Sequence, residues 1–223
     1  MKVEQQYRYL YKPAVFAASC APAILLLCGA LGWFGQDLGA DPVAKLLYTC
    51  GKTGLNFLLL TLLVTPVRRL TGWNNLVRLR RMLGLFSFFY LVTHFTVYLV
   101  LDRQLDYHTV LQDIAKRPYI TIGFAALLMM IPLAVTSTNR MMRRLGRRWQ
   151  KLHSLIYVIA ILGVWHYWWQ VKKDIRLPLL YAGMVAVLLG FRLVVRLLNR
   201  ARSRRNAQPL TSTSAPATAQ ERT

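Results

Sequence analysis

Apolar residues run through this chain in long blocks, not in short alternations. Blocks of membrane-spanning length fall at 14–34, 47–65, 82–101, 119–137, 152–169 and 177–195. Short polar segments rich in Gly, Pro, Asp, Asn or clustered Arg separate them. A helix needs about 20 mostly apolar residues to cross the hydrocarbon core. Within lipid the backbone must satisfy its own hydrogen bonds, so each block is predicted to be a helix. The pattern therefore predicts an all-α, polytopic six-helix membrane bundle. The first block is too long for the apolar core of a secretory signal, and no clear A-x-A site follows it, so it is read as a retained span.

The same pattern divides the chain. Residues 1–13 form a basic lead, 14–195 the six-helix domain, and 196–223 a tail that is basic and then rich in Ser, Thr, Ala, Pro and Gln. The end of that tail has too little apolar content to fold and is expected to be disordered. Loops are predicted at 35–46, 66–81, 102–118, 138–151 and 170–176; the third is the longest and is expected to hold a surface helix. Pro22 and Pro132 fall inside spans, where kinks are tolerated. No internal repeat is visible.

Charge then sets orientation. The formal net charge is +21, which on its own would suggest a nucleic-acid partner. Its placement argues against that. Counts of Lys plus Arg, from the N-terminal segment through successive loops to the C-terminal segment, run 3, 1, 5, 3, 6, 3, 7, with Arg192 near the end of the sixth block counted with the tail. Rich segments alternate with poor ones, which is the positive-inside pattern and puts both termini in the cytoplasm. Asp37, Asp41, Asp102, Asp106, Asp113 and Asp174 all fall in the three predicted outer loops. The basic bias is a topology signal joined to attraction for anionic lipid headgroups, and no nucleic acid is expected as a partner.

The three cysteines, Cys20, Cys28 and Cys50, include no C-x-x-C pair. They cannot supply four thiolates to an iron–sulfur cluster, and no C-x-x-C-H haem-attachment motif occurs. They read as small packing residues.

The histidines carry the chemistry. His94 lies in the third block and His153 and His166 in the fifth, while His108 lies in an outer loop. An ionisable residue within the membrane is a functional candidate. The third and fifth helices run in the same direction. His94 is thirteen residues beyond Arg81, and His166 fifteen beyond Lys151. At about 1.5 Å per residue their depths differ by about 3 Å. Two imidazoles on two helices at one depth suit a six-coordinate haem, one nitrogen on each axial face. Zinc would want three or four ligands, and no Cys, Asp or Glu is placed to join the pair. His153 lies about 20 Å nearer the cytoplasm. On an ideal helix it would point about 140° away from His166, unless the helix bends. At its level the third helix offers Arg78, Arg80 and Arg81 instead of a histidine. Guanidinium groups bind phosphate well, so this inner cluster suits a flavin phosphate or a haem propionate. Alternatively, it simply obeys the positive-inside rule.

A histidine on the third span with a histidine pair on the fifth resembles the ferric-reductase-like transmembrane domain of NADPH oxidases and metalloreductases. A closer resemblance is to the MsrQ family. It rests on LGADPVAKLLYTCGKTGLNFLLLTLLVTP, RLRRMLGLFSFFYLVTHF, RPYITIGFAALLMMIPLAVTST and LGRRWQKLHSLIYVIAILGVWHYWW. That resemblance implies haem b held by His94 and His166, His153 as a further family histidine, and an associated FMN. It also implies electron transfer from the membrane quinone pool to an MsrP-like periplasmic molybdenum-cofactor enzyme that reduces methionine sulfoxide in proteins. The setting it implies is the bacterial inner membrane. Arg80 stands where the wider oxidases place an inner-haem histidine. No large soluble segment follows the sixth span, so direct NADPH oxidation by this chain is not expected. Two other classes compete. A transporter or channel with structural histidines would be expected to show repeats or intramembrane carboxylates. A membrane scaffold would leave the matched histidines unexplained. Loop 102–118, with Asp102, Asp106 and Asp113 beside Arg103, Lys116 and Arg117, is expected to be a salt-sensitive docking surface for the acceptor.

Overall fold

A computed structural model describes residues 7–33, 38–171 and 174–206. Six helices in it are long and apolar enough to cross a membrane: Tyr9–Ala30, Pro42–Thr71, Leu76–Asp102, Pro118–Val135, Arg147–Gln170 and Arg176–Ala201. All six predicted spans are therefore present. Four of the helices reach beyond both ends of their apolar blocks, while the first and fourth stop short at their C-terminal ends. The predicted loop 66–81 shrinks to Gly72–Asn75, because Arg68 and Arg69 extend the second helix past its apolar block. Gly72 then stops it, with a left-handed φ of 73° and its N–H bonded to the Arg68 carbonyl. Loop 138–151 is likewise mostly helical, with a short helix Asn139–Leu145 ending at Gly146. The expected surface helix in loop 102–118 is Tyr107–Lys116. The last helix continues to Asn206; the expected disorder of 207–223 lies outside the described residues.

The second span is the axis of the bundle. Asp41 caps its start by accepting the Ala44 N–H at 2.9 Å, and Pro42 opens it. Leu55, Leu58, Leu59 and Leu62 on this helix are buried against Met130 and Leu133 of the fourth span, Ile156, Ile159 and Ala160 of the fifth, and Tyr181, Val185 and Leu188 of the sixth. Phe57 and Val64 on another face pack with Leu83 and Tyr90 of the third. The remaining apolar surface, including Leu63, Val92, Ile131 and Val187, faces outward, as a lipid-facing surface must.

The first span is held differently. It contributes few buried residues, Ser19 and Gly29 among them. Tyr90 of the third span is fully buried; its hydroxyl donates to the Ser19 carbonyl at 2.7 Å and accepts the Ala23 N–H at 3.1 Å. Those two backbone groups are four residues apart and would normally bond each other. Pro22 interrupts the ladder at this point, and the phenol is inserted there.

The fifth span tightens near its start. Between Arg147–His153 and Ile156–Gln170, Ser154 and Leu155 keep helical φ and ψ, but the Leu155 N–H bonds the Leu152 carbonyl three residues back. His153 and His166 lie on either side of this tighter turn, so ideal-helix phase does not strictly relate their directions.

Candidate functional site

His94 and His166 come together. Their ring centroids are 6.2 Å apart, with the planes at 79°. Each Nδ1 is hydrogen-bonded to a backbone carbonyl on a neighbouring helix: His94 to Leu47 at 2.8 Å, and His166 to Tyr119 at 2.7 Å. A carbonyl only accepts, so both rings carry their proton on Nδ1 and present Nε2 as a lone pair. Carbonyl bonds of this kind orient histidines that bind metal. A separation of 6.2 Å between the ring centroids leaves room for one metal ion that both Nε2 atoms would hold.

Glycines make this placement possible. A Cβ added to Gly51 would lie 3.0 Å from Nδ1 of His94, and one added to Gly123 would lie 2.7 Å from Nδ1 of His166. Each imidazole thus lies flat on a neighbouring backbone where no side chain stands. The same 72-residue displacement relates Leu47 to Tyr119, Gly51 to Gly123 and His94 to His166. The seat of each imidazole, a carbonyl and a glycine on one span and a histidine on the next, thus recurs at one spacing on the second and third spans and on the fourth and fifth. Under the same displacement His153 corresponds to Arg81.

Both imidazoles line a cavity of about 370 Å³. Its walls include Leu55, Leu58, Leu91, Phe95, Phe124 and Ile159. Toward the end away from the basic loops it meets Tyr48, Lys52, Arg103, Arg117 and Gln170. The donor set suits haem: two Nε2 lone pairs, an apolar body, and cations at one end for two carboxylates. Among the described residues, no three of His, Cys, Asp and Glu converge as a metal site.

The surface helix closes this end. Asp113 is buried and accepts from Tyr98 at 3.0 Å, Arg103 at 2.8 Å and Arg117 at 2.9 Å. Tyr98 and Arg103 meet it because the third span ends in a π-helical turn, Tyr98–Asp102. The Tyr98 hydroxyl first, then Asp102 and Asp113, hold the Arg103 guanidinium above its ordinary range. Asp106 caps the surface helix through the Thr109 hydroxyl and the His108 and Thr109 N–H groups, which keep its carboxyl below the usual range. The acids expected to form a docking surface are thus engaged within the fold. His108 is exposed, and its ring bonds the Gln112 amide.

The inner cluster is only partly assembled. The His153 ring stacks on Trp149 at 3.8 Å with Nδ1 on the Trp149 carbonyl, and its buried Nε2 has no hydrogen-bond partner. Arg80 is half-buried and within Coulombic reach of His153. Arg81 is exposed and bonds Asn139. Arg78 is also exposed and has interactions of its own. Sequence reasoning missed Gly51, Gly123 and Lys52, and missed Arg192 of the sixth span. The repeated 43-residue spacing from each glycine to its histidine was the available signal for the first two.

Residues 50–164 match the family described as ferric reductase like transmembrane component. A relative from Xanthomonas oryzae pv. oryzae (strain MAFF 311018) is 50% identical over 207 residues, covering 89% of this chain and 93% of its own. One from Xanthomonas campestris pv. campestris (strain B100) is 51% identical over 203 residues, with 89% and 92% covered. One from Herminiimonas arsenicoxydans is 49% identical over 183 residues, with 81% and 83% covered. All three are named protein-methionine-sulfoxide reductase heme-binding subunit MsrQ. No solved structure matches the chain.

Proposed function

The chain belongs to the MsrQ family of ferric-reductase-like membrane subunits, and on that premise we propose that His94 and His166 hold a b-type haem through which electrons leave the membrane toward a periplasmic acceptor. The observation that carries this reading is the matched pair of Nε2 lone pairs, fixed by two carbonyls across one cavity. When bound, the haem iron supplies a one-electron carrier whose potential depends on its axial ligands and surroundings.

The chain's own residues do the rest. Leu47 and Tyr119 hold the Nδ1 protons and so keep Nε2 available. The apolar wall, with Leu55, Leu58, Leu91, Phe95, Phe124 and Ile159, keeps water away from the pair. Lys52 lines the cavity with its Nζ 5.3 Å from the Tyr48 ring centroid, and it would supply a cation for a propionate. Arg103 and Arg117 border the same end but are shared with Asp113.

In this reading the basic loops face the cytoplasm of a bacterial inner membrane. Quinol is the electron donor, and the acceptor is an MsrP-like molybdenum enzyme acting on methionine sulfoxide in proteins. His153 and Arg80, in the basic half, would hold FMN. The positive-inside distribution supports the orientation, and the relatives' shared name supports the methionine-sulfoxide system.

Purified protein should show a Soret band, with α and β bands that sharpen on reduction. His94→Ala and His166→Ala should each lose most of the haem, whereas His108→Ala should keep it. Full haem retention in both ligand variants would sink the assignment. For electron flow, quinol should reduce the haem in membranes, and oxidised acceptor with methionine sulfoxide should reoxidise it. Haem that quinol never reduces points to another donor.

A further inference from the structure

Arg192 lies within the sixth span with its guanidinium turned toward the second and fifth. Nη1 donates to the Tyr157 hydroxyl at 2.5 Å, and Nη2 donates to the Leu62 carbonyl and to Thr65 Oγ1, both at 2.9 Å. The Leu62 bond has a local cause. Pro66 stands four residues further along the second helix and has no N–H. The carbonyl it leaves open takes its hydrogen bond from Arg192. That explains a donor at this position, but a neutral amide would also serve. It does not explain a charge.

Among the described residues the charge has no acid to meet. The described acids, Asp41, Asp102, Asp106, Asp113 and Asp174, all lie at the opposite end of the bundle. Other cations gather instead. Arg80 is within Coulombic reach of Arg192. Arg196 lies 5.6 Å from the Tyr157 ring, and Arg192 5.1 Å from it. The buried Nε of Arg192 has no acceptor. An intramembrane guanidinium is costly to desolvate and normally marks a function. Like charges gathered without a counter-ion are worse, unless a ligand supplies the anion.

We propose that Arg192, with Arg80 and Arg196, forms a phosphate-binding site in the basic half of the bundle. The phosphate comes either from a flavin mononucleotide or from an anionic phospholipid headgroup. Guanidinium donors suit phosphate oxygens through charge-assisted bonds, and the Tyr157 ring backs two of the three cations. The site deepens the flavin reading above and rests on it for the flavin source alone.

The test uses the full-length haem protein in nanodiscs. FMN is titrated against riboflavin, which has the same ring system without the phosphate. In parallel, phosphatidylglycerol retained from mixed phosphatidylglycerol–phosphatidylcholine discs is measured by native mass spectrometry. The Soret band reports the state of the distant histidine pair in each sample. Arg192→Gln should weaken FMN binding about tenfold or more, the scale of a lost charge-assisted contact, or release the retained phosphatidylglycerol. Riboflavin binding should not change, and Arg192→Lys should recover part of the effect. Should Arg192→Gln fail to fold, Arg80→Gln carries the same test, since Arg80 does not bond the Leu62 carbonyl. Loss of lipid alone, with no FMN bound by the wild type, supports the site and removes the flavin reading. FMN binding and lipid retention both indifferent to these charges, with the Soret band intact, overturn the site. Arg192 is then a partner for the Leu62 carbonyl only, and any FMN bound sits elsewhere.

Discussion

The two imidazoles each use one nitrogen for position and leave the other for a ligand. The backbone carbonyls do the positioning, so the tautomer does not depend on any titratable partner. The weak point is the space above Gly51 and Gly123. Gly123→Ala would bring a Cβ to 2.7 Å from Nδ1 of His166, and Gly51→Ala to 3.0 Å from Nδ1 of His94. In both cases the neighbour is an anchored ring, which cannot yield without losing its carbonyl bond. We expect Gly123→Ala to lower haem content severely and Gly51→Ala to do so less. Gly84→Ala is the control, since its new Cβ would meet only Thr61, at 3.9 Å. Haem per polypeptide, from the absorbance of purified protein, ranks the three.

Among the helices, the first depends most on a single contact. Its outward residues, such as Ile24 and Leu25, are more than half exposed, so lipid covers them and they give no specificity. The Tyr90 hydroxyl, set between the Ser19 carbonyl and the Ala23 N–H, supplies that specificity. Tyr90→Phe leaves both backbone groups without the partner they have now. In a region without water this should cost about 1–3 kcal/mol. A lower thermal midpoint in detergent and faster amide exchange at Ala23 are the expected signs, with haem content little changed. A second device joins the second and third helices: Ser87 donates to the Gly54 carbonyl at 2.8 Å. A Cβ on Gly54 would come within 2.7 Å of Leu91.

For the whole molecule, the surface helix acts as a lid at the end away from the basic loops. Asp113 joins it to the third span through Tyr98 and Arg103. Asp113→Ala would leave Arg117 without its carboxylate and Arg103 with Asp102 alone. Arg117 is 46% exposed, so water offsets part of the loss, and a destabilisation of about 1–3 kcal/mol is expected. It should be visible as a lower melting midpoint and as faster proteolysis after Lys116. The same burial changes the expected docking behaviour. Neutralising Asp113 should disturb the lid and not the salt dependence of acceptor association. The lid's own cap has a defined pH range. The Asp106 carboxyl is held below its unfolded value, so its contribution is complete above about pH 4 and is lost as pH falls through the lower folded value. The Thr109 amide shift, followed against pH, should stay flat through neutrality and move only in that acidic range.

Hydrophobic block length alone determined that six helices cross a membrane, because lipid leaves an apolar segment of that size few alternatives. The alternation of basic loops gave a directional sense, and equal depth on parallel helices singled out His94 and His166. Those inferences rest on one-dimensional quantities: length, charge order and rise per residue. Tertiary structure decided which surfaces meet. It aimed the Nδ1 protons at the Leu47 and Tyr119 carbonyls, gave meaning to the 72-residue spacing from Gly51 to Gly123, and turned Asp113 inward. It also tightened the fifth span at Ser154–Leu155, between His153 and His166. Arg80 faces the inner cluster while Arg81 bonds Asn139, although the two are neighbours in sequence. Arg192 reaches a carbonyl 130 residues away. Such contacts depend on helix rotation and on gaps left by Gly and Pro in a neighbouring backbone, and neither is set by the residues of one helix alone.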